Sequence, residues 1–407
     1  MVEQAEIETL GAQGDGVTAD GVFVPRSLPG EVVRITPCGH RAVLSEIVHA
    51  APDRITPACA HFGICGGCAV QHASDGLVAG WKQALVRRAL AARGIEDVEI
   101  RPIATSPPRT RRRATFTARR TKKGALIGFH AASSDQIVPI TACQVVDPTL
   151  LTLTSGLNEL VVVGASRKGE IRVTITTSDA GLDVAVTGGK PVEGPLYGHL
   201  VAIAATSDLA RLSWDGEPVV VRRPPWQPMG RARVVPPPGG FLQATAHGEA
   251  TLVDCVREAV GDAKMVADLF CGSGTFALVL AEQAEVLAVE AEAAALEALD
   301  AGWRHANELK RVETEVRDLF HRPLLDRQLK GLEAVVIDPP RQGARSQIEQ
   351  LAKSDVPRLA AVSCNPATFS RDARILLDGG YALDWVKPVD QFRWSPHIEL
   401  AAQFTRR

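Results

Sequence analysis

No apolar run in this chain approaches the ~18 residues that a transmembrane helix requires. Its acidic opening, "MVEQAEIETL", has neither the basic n-region nor the apolar h-region of a secretory signal. A membrane-bound or exported protein is therefore not expected. The expected location is cytoplasmic, where thiols stay reduced. Eight cysteines in that setting point to ligands, nucleophiles or packing residues rather than disulfides. Internal repeats and low-complexity tracts are also missing, which argues against solenoids and disordered scaffolds. Nor is there a surplus of either charge: a net charge of −2 argues neither for nor against a nucleic-acid partner.

What is present is an ordinary soluble composition, 45% hydrophobic and 23% charged, in 407 residues. That length accommodates two or three domains, each with its own core. The charge distribution says more than its sum. From Arg101 to Lys123, "RPIATSPPRTRRRATFTARRTKK" holds nine basic residues and no acidic one. Their alternation with Thr, Ala and Phe116 predicts a strand with one basic face. Such a face would meet RNA phosphates in a salt-dependent, sequence-blind manner.

Residues 1–56 carry short β-like runs punctuated by glycine, the pattern of a small β-barrel. "AGWKQALVRRALAARGI" (79–95) has helical spacing and ends at a glycine. Strand-like runs and loops mix from about 100 to 233, and a proline-rich joint, "VVPPPGG" (234–240), follows. Beyond it, "KMVADLF", "EVLAVE", "VETEVRD", "LEAVVID" and "LAAVSC" alternate with helix-like segments. That alternation predicts an α/β domain with a doubly wound parallel sheet over 234–407. Two closing runs, "ALDWVKPVDQF" and "HIELAAQF", fit a hairpin at the sheet edge. The domains expected are thus 1–56, 57–233 and 234–407, with 79–123 available to pack on the last.

Open α/β sheets bind ligands outside the carboxyl ends of their strands. Those ends carry, in order, Asp268, Glu290, Asp318, Asp338 and Cys364. One or two such residues are ordinary helix caps; five in succession look like a site. "DLFCGSGTFA" (268–277) is a glycine-rich turn in which Gly272 and Gly274 admit close approach, with a helix N-terminus behind it. Glu290, at the end of the next strand, suits ribose hydroxyls. The full dinucleotide fingerprint is lacking, since Ala277 holds the third glycine's place. S-adenosylmethionine, which has no pyrophosphate, therefore fits better than NAD. Cys364, in "VSCNPATFSRD", shares this edge with the "DPPRQG" turn and reads as a nucleophile. A free thiol is only a few per cent ionised at neutral pH, so Arg341 or a helix N-terminus is expected to raise its thiolate fraction.

"FLQATAHGE", "DLFCGSGTF", "DPPRQG", "SCNPATFSRD" and "WSPHIEL" together resemble the RNA uracil-5-methyltransferases, the 23S rRNA enzymes and their tRNA-modifying relatives. The resemblance extends over nearly the whole chain, with "GVFVPRSLPGE" the clearest part of a TRAM-like, OB-like barrel. It implies an N-terminal barrel, a central RNA-binding α+β domain and a Rossmann-like methyltransferase sheet. It also implies a mechanism: Cys364 adds to uracil C6, C5 takes the methyl group, and Glu399 removes the C5 proton. Gln243, Phe270, Thr275, Glu290 and Asp318 would line the cofactor pocket. Asp338, counted with them, would hold the flipped uracil. The implied target is 23S rRNA of the uracil-1939 type, with uracil 54 of tRNA as the alternative and a monomer as the acting species. Thr245 and Thr275 depart from asparagines common in relatives, which makes those two cofactor contacts open questions.

Cys59, Cys65 and Cys68 follow C-x5-C-x2-C, and Cys143 lies some 75 positions on. By spacing alone, zinc and a [4Fe–4S] cluster are equally compatible. The resemblance implies the cluster, held by Cys59, Cys65, Cys68 and Cys143, as a staple for the middle region. Cys38, Cys255 and Cys271 read as packing residues. Two rival classes remain: a radical S-adenosylmethionine enzyme, whose usual comb is C-x3-C-x2-C, and a non-catalytic RNA-binding factor. The x5 spacing and the separate cofactor loop count against the first, and Cys364 with Glu399 against the second.

Overall fold

The computed structural model describes residues 2–407. Five strands, Glu3–Leu10, Gly16–Thr18, Phe23–Val24, Val32–Cys38 and Arg41–His49, close into a barrel. Alternation along them turns Ile7, Val24, Val33, Ile35 and Ala42 into its core. Gly16 is required there, because a Cβ would stand 2.2 Å from Ser27 Oγ. The buried Glu31 carboxylate accepts from the Leu28 and Ala51 amides and from Arg54, tying the barrel to the chain that leaves it. Cys38, expected to pack, is instead exposed: it ends its strand at the turn rather than facing the barrel core.

The middle region builds a seven-stranded sheet from strands between Arg113 and Val221. Its pairs are antiparallel except Gly181–Thr187 with Arg211–Trp214, which are joined by a crossover through the helix Pro195–Thr206. Phe116, Val173, Ile175, Val184, Leu212 and Trp214 form its core.

The expected basic face is only partly there. In the strand Arg113–Arg120, Ala114, Phe116 and Ala118 point inward, as alternation requires. Other cations of the run serve the interior. Arg112 is buried, pairs with Glu249 and donates to the Gln243 carbonyl at 3.0 Å. Arg101 is instead tied down at the surface, gripping the exposed Glu258 with two 2.8 Å bonds. A charge count cannot separate such anchors from solvated side chains.

The third sheet has nine strands. Met265–Leu269, Glu285–Glu290, Val312–Val316, Ala334–Ile337 and Arg358–Ser363 are parallel, as the alternating pattern predicts. The closing runs do pair with each other, but not at the edge. Glu399–Arg406 inserts between Arg358–Ser363 and Tyr381–Asp390. The outer side of Tyr381–Asp390 is then covered by Glu99–Ile100 and Ala104–Thr105, which come from far upstream. The helix assigned to 79–95 spans Asp75–Ala91, capped by Ser74, whose Oγ accepts from the Leu77 amide. It packs against the helix Pro366–Asp378 of the third sheet. No helix among the described residues is long and apolar enough to cross a membrane.

Candidate active site

The sheet order sets the order of the site. Across the carboxyl edge come Asp318, Glu290, the 268–277 turn, Asp338, Cys364 and Glu399. Glu290 ends its strand, Asp338 and Cys364 directly follow theirs, and Asp318 lies two residues past Val316. Three strand spacings separate Glu290 from Cys364, about 14 Å, which suits an elongated ligand. Asp268 departs from the expected row. It lies inside Met265–Leu269, fully buried, and is no cavity wall. Burial, then the charges of Asp338 and Glu290, push its carboxyl well above the usual range.

One cavity of about 520 Å³ runs along this edge. Its walls include Gln243, Phe270, Thr275, Glu290, Asp318, Asp338, Cys364 and Glu399, all eight residues singled out from the sequence. Phe241, Arg341, Phe392 and His397 are among its other walls. The glycine turn is tightly made. Gly274 has φ +100, and a Cβ there would stand 2.9 Å from both Leu278 and Leu299. Phe270 also takes positive φ, 62°, and sets its ring 5.3 Å from Phe320. The helix expected behind this turn is a single turn, Ala277–Leu280. Glu290 instead braces the loop: Oε2 accepts from the Gly272 amide at 3.1 Å, and Oε1 from Ala291 at 2.7 Å. Spare lone pairs remain for ligand hydroxyls. Asp318 accepts from the Phe320 amide at 2.9 Å.

At the other end, antiparallel pairing places Ser363 opposite Leu400. Cys364 and Glu399 each lie one residue beyond that last pair, close enough for the Glu399 charge to act on the thiol. Burial, then the charges of Glu399 and Asp338, push the Cys364 thiol up to about 11, and Arg341 offsets only part of this. Arg341 acts in the direction expected of it, but burial and the two carboxyls outweigh it. Glu399 is raised to about 8 by burial and by Asp338, and Asp338 to about 7 by burial. Two carboxyls raised this far suit groups that pass protons near neutrality. Arg341 Nη2 donates to His397 Nδ1 at 2.9 Å, and His397 is pushed down by burial and by that guanidinium.

Thr245 does not line the cavity. It caps the helix Ala246–Val260, its Oγ1 accepting from the Gly248 amide at 2.9 Å and sharing a 2.7 Å bond with Ser106. Asparagine serves equally well at such a cap, so this departure leaves the ligand contacts untouched. Thr275 does line the cavity. Cys255 and Cys271 are buried, as packing residues should be.

A second cavity, of about 290 Å³, has Cys59, Cys65, Cys68 and Cys143 in its walls, with Arg111 and Arg113. None of its lining residues is shared with the first. Burial pushes the Cys68 thiol up to about 12 and Cys65 in the same direction. Among the described residues, no three His, Cys, Asp or Glu side chains form a group that would hold a metal ion. The four sulfurs thus share a chamber without closing on one point.

Sequence reading missed the supports of the site. Gln391, Lys82 and Arg112 lie in it or directly behind it, and their roles come from contacts between distant segments. His397 lies inside the recognised "WSPHIEL" and Phe392 two residues before it, so both were within reach of the motif.

The chain is similar to known proteins over its whole length. A family model described as tRNA (Uracil-5-)-methyltransferase matches residues 237–407. An RNA methyltransferase of Brucella suis, described as uncharacterized, is 46% identical over 99% of this chain and 98% of its own. One from Caulobacter vibrioides is 43% identical over the full length of both. The 23S rRNA (uracil(1939)-C(5))-methyltransferase of Nitrosococcus oceani is 29% identical over 99% and 96%. Among solved structures, the tRNA (uracil-54, C5)-methyltransferase of Pyrococcus abyssi with S-adenosyl-L-homocysteine superposes with a TM-score of 0.77. It covers 99% of both chains at 24% identity, and this likeness bears on the fold.

Proposed function

Because this chain belongs to the RNA uracil-5-methyltransferase family, we propose that it forms 5-methyluridine in 23S rRNA, at a position of the uracil-1939 type. The observation that carries the reading is that Cys364 and Glu399, each one residue beyond the Ser363–Leu400 pair, line one end of a cavity whose other end holds Glu290 and Asp318. The similarity to the Nitrosococcus oceani enzyme favours rRNA as the target class.

S-adenosylmethionine, when bound, supplies an electrophilic methyl group. Phe270, Thr275, Glu290 and Asp318 would hold it, with Gln243 at its inner side. Uracil C5 is a poor nucleophile until something adds at C6. The target base, swung out of its stack, would lie beside Cys364 with Asp338 bonding its edge. At a pKa of about 7, Asp338 is half protonated near neutrality and is able to donate as well as accept. The Cys364 sulfur forms a bond to C6, and its proton leaves for solvent or a neighbouring carboxylate. C5 then becomes nucleophilic and is methylated. Glu399 takes the C5 proton, the C5–C6 double bond reforms, and the thiolate leaves. A base of high proton affinity suits that step.

The four-thiol chamber supports a structural [4Fe–4S] cluster on Cys59, Cys65, Cys68 and Cys143. All four cysteines line one cavity, and Arg111 and Arg113 in its walls would balance negative charge. Held there, the cluster would staple the loop 59–68 to the middle sheet, apart from the methyl-transfer cavity. Protein purified without oxygen should be brown and carry about four irons per chain; stoichiometric zinc would overturn this part.

The function itself is tested by mapping 5-methyluridine in total RNA from a deletion strain, with complementation by the wild type and by Cys364→Ala. One missing 23S rRNA methylation, restored only by the wild type, is expected. Loss in tRNA instead would replace the target, and an unchanged map would refute the reading.

A further inference from the structure

Lys82 is the largest fully buried side chain in the molecule, and the mechanism above gives it no task. It sits on the helix Asp75–Ala91, upstream of the segment the family model matches. Its Nζ donates to Asp390 Oδ1 at 2.6 Å, to the His397 carbonyl at 2.9 Å and to the Phe392 carbonyl at 3.2 Å. An ammonium has three protons to donate, and here all three go to one loop, the connection from Tyr381–Asp390 to Glu399–Arg406.

That loop reaches the reacting end of the cavity. Phe392 and His397 turn their carbonyls to the ammonium and their rings to the cavity, edge to face at 5.9 Å. Asp390 Oδ1 also accepts from the Phe392 amide at 3.0 Å. Glu399 follows His397 by two residues. Packing alone does not call for a charge here, since a buried ion pair is often matched in stability by apolar side chains of similar volume. What an ammonium adds is direction: three bonds from one atom set the angle of a loop that has no regular structure.

We propose that Lys82 is a positioning residue for the proton-abstraction half of the reaction, holding the 390–398 loop so that Glu399 reaches the C5 proton of the methylated adduct. The step it serves is elimination. The Glu399 carboxylate takes the C5 proton, the C–H electron pair becomes the C5–C6 double bond, and the C6–S bond breaks to return the Cys364 thiolate. Addition and methyl transfer depend on Cys364 and the cofactor walls, which Lys82 does not touch. This inference rests on the methyltransferase reading.

The test compares wild type, Lys82→Met and the double variant Lys82→Met/Asp390→Leu, which removes both charges and keeps the volume. Uridine-containing RNA and methyl-labelled S-adenosylmethionine are used in single-turnover reactions. Both variants should transfer label into a denaturant-resistant RNA–protein adduct and then release it about 100-fold more slowly than wild type, the scale of effect for a catalytic group displaced by about 1 Å. The KM for S-adenosylmethionine should change far less than the release rate, because the loop meets the cofactor side only through the Gln391–Gln243 bond, while Phe270, Thr275, Glu290 and Asp318 stand on other elements. A folded double variant that releases product at the wild-type rate would overturn the proposal. So would a double variant that fails to fold, because the pair would then be a plain structural element. If the wild type itself labels no uridine, the methyltransferase reading fails instead.

Discussion

Gln391 Nε2 donates to Gln243 Oε1 at 2.6 Å, joining the loop that leads to Glu399 to the segment behind the cofactor walls. The other end of the Gln243 amide points to Asp338 Oδ2 at 3.5 Å. Both glutamines are buried, and Gln391 stands behind the cavity wall that Gln243 forms. Gln243→Leu would orphan the Gln391 amide at a cost of about 1–3 kcal/mol and free Asp338 to turn. Activity should fall about tenfold or more. In a double-mutant cycle with Gln391→Leu, the two losses should fail to add, with a coupling of roughly 0.5–3 kcal/mol. Additive losses would show that the two amides act independently.

Glu399→Gln leaves Cys364 addition possible but removes the base. An RNA–protein adduct that survives denaturant should accumulate, while S-adenosylmethionine binding stays normal. The same variant removes a negative charge that holds the Cys364 thiol up. Alkylation of Cys364 by iodoacetamide at pH about 9 should then be faster than in wild type, since the thiolate is the reactive form. Equal alkylation rates would mean that Glu399 does not act on the sulfur.

Stability should respond to pH through the same carboxyl. Glu399 is raised from 4.5 to about 8, so the fold favours its neutral form. Between those values the native state binds the extra proton, and the stability linked to it is complete below 4.5 and lost as pH rises through about 8. Glutamine cannot ionise. The urea midpoint of Glu399→Gln should therefore gain on that of wild type between pH about 5 and 9. A constant difference across that range would remove the assigned shift.

Much of this site was legible in the chain. Polar residues after apolar runs located Glu290, Asp318, Asp338 and Cys364, because strand ends in a parallel sheet have one place to point. Asp268 broke the rule because its strand runs one residue further, a boundary that pattern cannot resolve. The glycine turn and the helix behind it were both readable, but the stop of this helix after one turn at Leu280 was not. Neither the insertion of Glu399–Arg406 inside the sheet nor the strands Glu99–Ile100 and Ala104–Thr105 on its flank left a signal. Pairing over such separations is decided by the assembled surface.

Thr245 gives a check on how a departure from relatives should be read. As a helix cap it is replaceable by asparagine, and Thr245→Asn should leave the affinity for S-adenosylmethionine unchanged. Thr245→Ala should cost about 1 kcal/mol in urea unfolding, with more lost through the unpartnered Ser106 hydroxyl. A large change in cofactor affinity for Thr245→Asn would return this residue to the pocket.

The basic run divides into two kinds of arginine and lysine, and salt dependence should tell them apart. Lys122 and Lys123 are exposed. Replacing either with alanine should weaken RNA binding modestly and lower the salt slope by up to about one. Arg112 is an internal anchor, and Arg112→Leu should unfold at lower urea through the stranded Glu249, by about 3–5 kcal/mol. A salt slope that falls for Arg112→Leu in still-folded protein would place that guanidinium on the RNA.

The strands at Glu99–Ile100 and Ala104–Thr105 have a practical consequence for anyone who would isolate the methyl-transferring half. Cutting at the proline-rich joint would bare the backbone edge of Tyr381–Asp390, an invitation to pairing between copies. It would also leave the Asp390 carboxylate without a counter-ion in apolar surroundings. The catalytic sheet is completed by residues the ribosome makes long before it. A fragment from 234 onward should aggregate rather than work, whereas one that begins ahead of Asp75 retains the pieces its sheet borrows.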